Sequence, residues 1–134
     1  MSQSNLTFVN YSVPFMSTEI NDKFDFSKSQ NVTLNPKITR DILKINEKQF
    51  HTQLTIVIDE ENVPFKLKVV VRGMFLLDDW ENPDNKDLVE VTSVATLFPY
   101  LRVLVSQAST ILNMPPYILP LVNVKELFNK KADN

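Results

Sequence analysis

The sequence predicts an α+β fold: a four-stranded antiparallel sheet, a long crossover after strand 1, and two C-terminal helices packed on one face. Three observations carry this. Residues between Phe50 and Phe75 alternate apolar and polar with a period of two, the signature of half-buried strands. From Leu101 the apolar residues recur at helical spacing. Every strand-like run precedes every helical one, an order that belongs to helices on one face of an antiparallel sheet.

The first strand is expected at Leu6 to Val13, with Val9, Tyr11 and Val13 on one side. Pro14 marks either its end or an edge position, because proline cannot donate to a ladder. Ser17 to Asn35 is a long connection carrying Phe24, Phe26, Val32 and Leu34. Connections longer than about 12–15 residues inside a domain are usually functional or flexible. Lys37 to Ile45 follows Pro36 and holds β-branched Ile38, Thr39, Ile42 and Ile45, which favours strand over helix.

Next comes the plainest element. Phe50, Leu54, Ile56 and Ile58 alternate with polar residues, Asp59-Glu60-Glu61-Asn62 makes a polar turn, and Val63, Phe65, Leu67, Val69 and Val71 continue on one face. That is an antiparallel hairpin with one dry face. After a polar loop at residues 81–87, Leu101, Leu104, Val105, Ala108, Ile111 and Leu112 form the stripe of an amphipathic helix,. Pro99 suits its first turn and Pro115-Pro116 its end. A last short helix is expected from Asn123, with Glu126 three residues on as a capping box,.

Composition narrows the function. At 134 residues the chain is the size of one domain, residues 1–134. No cysteine is present, which removes a disulfide framework, thiolate metal ligands and a cysteine nucleophile together. With no signal-peptide pattern and no unbroken apolar run of spanning length, a soluble protein in a reducing, cytoplasmic setting is expected, without membrane insertion. The sequons at Asn5, Asn10 and Asn31 are then chance matches. Net charge is −2 and the basic residues are dispersed, so no nucleic-acid partner is expected. One glycine, Gly73, excludes the glycine-rich loops that cradle phosphates,.

No catalytic constellation emerges, and neither an enzyme activity nor a cofactor or metal is expected. His51 is the single histidine and falls on the polar face of a strand. The acid groups Asp59-Glu60-Glu61 and Asp78-Asp79 fall in or near turns. Apolar residues outside regular burial are more telling: Phe24, Phe26, Phe75, Leu76, Leu77 and Trp80 fall in or beside loops, and Val70 and Met74 on a nominally wet face. A contiguous share of them would form a patch that marks an interaction surface. The residues expected to bind a partner are Phe24, Phe26, Leu34, Met74, Leu76 and Trp80.

Two motifs sharpen this. Leu97-Phe98-Pro99-Tyr100-Leu101-Arg102 opens the predicted helix, and Leu119-Pro120-Leu121-Val122-Asn123-Val124-Lys125-Glu126-Leu127-Phe128 follows. The pairing resembles the SecB family of protein-export chaperones, where LFPY-x-R precedes L-x-P-V-N-F-x-x-L-F. Arg72-Gly73-Met74-Phe75 resembles that family's Gly-Gly-Ile-Phe at the end of the fourth strand. The resemblance implies a homotetramer, built as a dimer of dimers, that holds unfolded polypeptides in apolar grooves without ATP and passes them to the SecA motor. Related SecB-like chaperones serve toxin–antitoxin systems by holding an antitoxin, so the client is either a preprotein or an antitoxin. In the family, SecA docks on an acidic outer sheet face and on a polar tail. Here Lys66 and Lys68 stand where acid is expected, and the tail Lys130-Lys131-Ala132-Asp133-Asn134 is short and not acidic. SecA is therefore a doubtful partner, while client binding is unaffected.

Overall fold

Alternation of buried and half-exposed residues builds the sheet. In β3 (Gln49–Ile58), Phe50, Thr52, Leu54, Ile56 and Ile58 are buried while the residues between them are half-exposed. In β4 (Phe65–Leu77) the same alternation keeps Phe65, Leu67, Val69, Val71, Phe75 and Leu77 inside. The computed structural model describes residues 5–27, 32–120 and 123–132. Leu121 and Val122 of the second motif, and Asp133 and Asn134 of the tail, lie outside the described residues, as does Asn31 of the third sequon.

With β1 (Leu6–Ile20) and β2 (Lys37–Lys44), these strands form one sheet of order β1-β4-β3-β2. All neighbours are antiparallel. β1 runs past Pro14, farther than the expected Val13. The reason is position: β1 is an edge strand, and its register with β4 shifts between Phe8 and Asn10 and again between Ser12 and Phe15. Pro14 sits in that second bulge, where its missing N–H costs no ladder bond. The crossover therefore begins at Asn21, not Ser17. β4 also continues to Leu77, so Phe75, Leu76 and Leu77 belong to a strand and not to loops. Phe75 and Leu77 are core residues.

α1 (Ser93–Ile111) lies across the inner face. Leu97 reaches Gly73 of β4, the Thr18 hydroxyl donates to the Ala108 carbonyl (3.2 Å), and Thr52 and Ser93 share a buried hydrogen bond (2.7 Å). The helix starts six residues before Pro99, so that proline is internal and not in the first turn. It frees the carbonyl of Ala95, but Ala95 and Pro99 are both exposed, so water can reach it. A π turn, Leu88–Thr92, leads into the helix. The continuous helical stretch Pro83–Ile111 is long and apolar enough to cross a membrane by length and composition, and its buried residues Val94, Leu97, Leu101 and Val105 belong to the core beneath the sheet. Ile111, expected in the buried stripe, is 70% exposed, while Ala108 and Ser109 just before it are buried.

After α1 the chain turns at Asn113, whose φ of 63° is the left-handed conformation that asparagine tolerates at a helix end. It returns across the inner face to α2 (Val124–Ala132). The Asn123 side chain caps that helix by accepting from the Glu126 N–H (3.2 Å). Phe128 is buried beneath Arg40 of β2, whose guanidinium lies 4.5 Å from the ring centroid and donates to the Glu90 carbonyl (2.7 Å).

Candidate functional site

Where β1 ends, the chain is stapled to the β3–β4 turn. The Asn21 amide is buried and its NH2 donates to the carbonyls of Glu61 and Val63, both at 2.9 Å. Its Oδ1 accepts from the Lys23 N–H (3.1 Å) and its own N–H donates to the Pro64 carbonyl (3.0 Å). The Phe24 N–H then closes a turn onto the Asn21 carbonyl (3.1 Å). This anchored turn presents Phe24 and Phe26 edge to face, centroids 4.9 Å apart, a favoured aromatic geometry. Phe26 is 53% exposed. Between them, the Ser27 hydroxyl and N–H both donate to Asp25 and hold its carboxyl below the ordinary 3.8. On the return leg the Asn35 N–H donates to Glu60 Oε1 (3.0 Å), and Val32 and Leu34 pack against the core.

The same end of the sheet receives the connection between the helices. Ile20 stands opposite Phe65 in the register, and the Tyr117 ring lies 6.3 Å from that of Phe65. The Tyr117 N–H donates to Ser109 Oγ (2.8 Å), which fixes the return path, and burial pushes its phenol above 10.0. Ile118 beside it is 60% exposed. Sequence reasoning missed Ile20, Tyr117 and Ile118. The available signal was apolar side chains directly after Pro115-Pro116, in a segment that proline keeps from being helical.

The six expected residues do not share one surface. Phe24, Phe26 and Leu34 gather at the crossover end. Met74 and Leu76 lie near the opposite end of β4, roughly 36 Å away at about 3.3 Å per residue. Because Phe75 between them points into the core, they face outward, Met74 across from His51 and Leu76 across from Gln49. Trp80 is at that far end too but on the inner side, its ring 5.4 Å from Phe50 with the Lys44 ammonium over it.

On the outer face, Lys66 pairs with Asp59 (3.4 Å) and the Lys68 ammonium lies 5.5 Å from the Phe15 ring. Phe15 stands opposite Val70, which explains why Val70 is buried on a face open to water. Among the described residues no group of three or more His, Asp or Glu side chains could hold a metal ion.

The two sequence motifs meet in space. Leu97 of the first packs under Gly73, and its Arg102 donates through Nε to the carbonyl of Leu119, the first residue of the second (2.8 Å). The family model described as preprotein translocase subunit SecB matches residues 11–134. The chain belongs to the SecB family. This SecB-family chain is also 33% identical over 125 residues to an uncharacterised protein of Methanocaldococcus jannaschii, covering 89% of this chain and 79% of that one. Its fold is that of a SecB-like chaperone of Mycobacterium tuberculosis, solved in complex with a peptide from the HigA1 antitoxin. That match has a TM-score of 0.67 and 12% identity over 87% of each chain. A Streptococcus agalactiae protein of unknown function shares the fold, with a TM-score of 0.61 and 14% identity over 90% of this chain and 100% of that one. The chain thus belongs to the SecB family by sequence and has the fold of a SecB-like chaperone.

Proposed function

We propose that this SecB-family chaperone is an ATP-independent holdase of the cytoplasm, binding extended apolar segments of unfolded polypeptides around Phe24, Phe26 and Leu34. The observation that carries this is the Phe24–Phe26 pair. Both rings are positioned by the Asn21 staple, neither is among the core side chains, and Phe26 is half-exposed. Water on aromatic faces is released when a client side chain covers them. Trp80 lies at the far end of the sheet, about eleven extended residues away. Met74 and Leu76 face away and are left out of this surface.

A homotetramer is part of the same proposal. The edge strand β1 exposes Val9, Tyr11 and Val13. Between Ser93 and Ile111 the only charged residue is Arg102, itself bonded to Leu119, so the outward side of α1 lacks the charges a solvated helix normally carries. Service to one antitoxin is the narrower reading. Lys66 and Lys68 favour it over export, since they stand where family members offer SecA acid, and the bound segment in the mycobacterial neighbour is an antitoxin peptide.

The test is suppression of light scattering when a denatured client is diluted into the chaperone. Phe24→Ser with Phe26→Ser should raise the chaperone concentration needed by about tenfold or more, the scale of losing aromatic hot spots. The melting temperature should move by no more than about 2 °C, as for surface substitutions. Unchanged suppression, or a large loss of stability, would refute this surface.

A further inference from the structure

Three strands of the outer face carry matching rows of side chains. Asp41 of β2, Gln53 of β3 and Arg72 of β4 form one row, and Leu43, His51 and Met74 the next. Beyond them Gln49 stands opposite Leu76, and the Ile45 N–H donates to the Gln49 carbonyl (2.8 Å). The apolar flanks are open to water: Leu43 is 61% exposed, and Ile45 and Leu76 more than 40%. Arg72 spends one N–H on Gln53 Oε1 (3.0 Å), which leaves the rest of its guanidinium facing out. Asp41, exposed, lies two strand spacings from Arg72, about 10 Å between backbones, with Gln53 of β3 between them.

β3 lies midway between the other two strands. A two-fold axis running nearly along β3 therefore lays β2 of one copy over β4 of a second, and the reverse. Row by row, Asp41 then meets the second copy's Arg72, Leu43 meets its Met74 and Ile45 meets its Leu76. In these three rows acid faces base and apolar faces apolar, twice over, as an isologous contact requires,. His51 and Gln53 floor an open hollow of about 590 Å³ between the flanks, so closest approach is made by β2 and β4. Toward the β3–β4 turn the match ends, because Lys37 would face the second copy's Lys68. We propose that the outer faces of two copies dock in this way, joining subunits through a surface separate from the β1 edge and the α1 face.

Neither Asp41 nor Arg72 touches the proposed client surface, so this contact and the holdase reading fail independently. The test is the mass distribution of the full chain by sedimentation velocity at low ionic strength. Wild type should form a species of twice the mass of the unit that remains in high salt. Asp41→Arg alone, or Arg72→Asp alone, turns both attractive pairs into like-charge pairs and should raise the dissociation constant about a hundredfold or more. The double variant restores opposite charges and should restore the doubled species. Equal masses for all four proteins, or a double variant no better than the singles, would overturn the proposal. In high salt, where all four proteins are the smaller unit, unchanged melting temperatures are expected, since both residues are exposed, and would show that a lost species reflects contact and not folding.

Discussion

Gly73→Ala probes the closest approach of helix to sheet. A Cβ at this position would stand 2.6 and 3.1 Å from the two δ-carbons of Leu97 and 2.8 Å from Cε1 of Phe75. Both neighbours are 0% exposed, so their tips cannot swing into solvent. Overpacking of this kind costs about 1–3 kcal/mol. Replacing a strand glycine offsets part of that, by about 0.5–1 kcal/mol. The clash wins, and a net loss of about 1–2 kcal/mol is expected, which for a chain of this length lowers the melting temperature by about 4–8 °C. Leu97→Ala alone should cost about 2–5 kcal/mol through the cavity it leaves. In the double variant the new methyl group enters that cavity. Denaturant unfolding of the four proteins should therefore show the double variant more stable than the sum of the singles, by about 1–2 kcal/mol. Additivity within about 0.5 kcal/mol, the behaviour of independent sites, would refute the packing argument, as would a stabilising Gly73→Ala.

Ser93 donates to the Val89 carbonyl, so Thr52 must be the donor in the Thr52–Ser93 bond. Ser93→Ala leaves a buried hydroxyl unpaired and should cost about 1–3 kcal/mol, more than Thr52→Val at about 0.5–1.5 kcal/mol; denaturant melts giving the reverse order would contradict this assignment. Asn21→Ala should cost about 1–3 kcal/mol and speed amide exchange at Lys23 and Phe24 more than in β3. Asn21→Asp should be worse, because a carboxylate would face the Glu61 and Val63 carbonyls; equal exchange at the crossover and in β3 would count against the staple.

The hairpin was legible because one of its faces is dry and the other wet, so period two is written directly into residues 50–71. Its last turn of alternation was equally present: Phe75 inward implies Met74 and Leu76 outward, and reading them as loop residues obscured that. β1 was cut short because a proline in an edge-strand bulge looks the same in sequence as a proline that stops a strand. The start of the helical region was hidden by the π turn. It separates buried Val89 and Val94 by five residues, a spacing that a 3.6-residue template rejects. At the candidate site, Phe24 and Phe26 were visible as aromatics in a long connection. Ile20 and Tyr117 were not, because what brings them together is the pairing of β1 with β4 and the return of the chain under the sheet.

Strand order also sets a timetable for synthesis. β1 is made first, but its partners in β4 are 45 residues farther on for Ile20 and 71 for Leu6. At about 5–20 residues per second, roughly 2 to 14 seconds pass before each can pair. Over that time Val9, Tyr11, Val13 and Phe15 have no sheet to join, whereas β2, β3 and β4 can meet their neighbours as they emerge. Once β4 exists, closing the loop between Ile20 and Phe65 still costs about 1.4 kcal/mol more than closing the nine-residue step between Ile58 and Leu67,. A nascent copy of this chaperone thus spends its first seconds as an extended, apolar segment waiting for a β-strand.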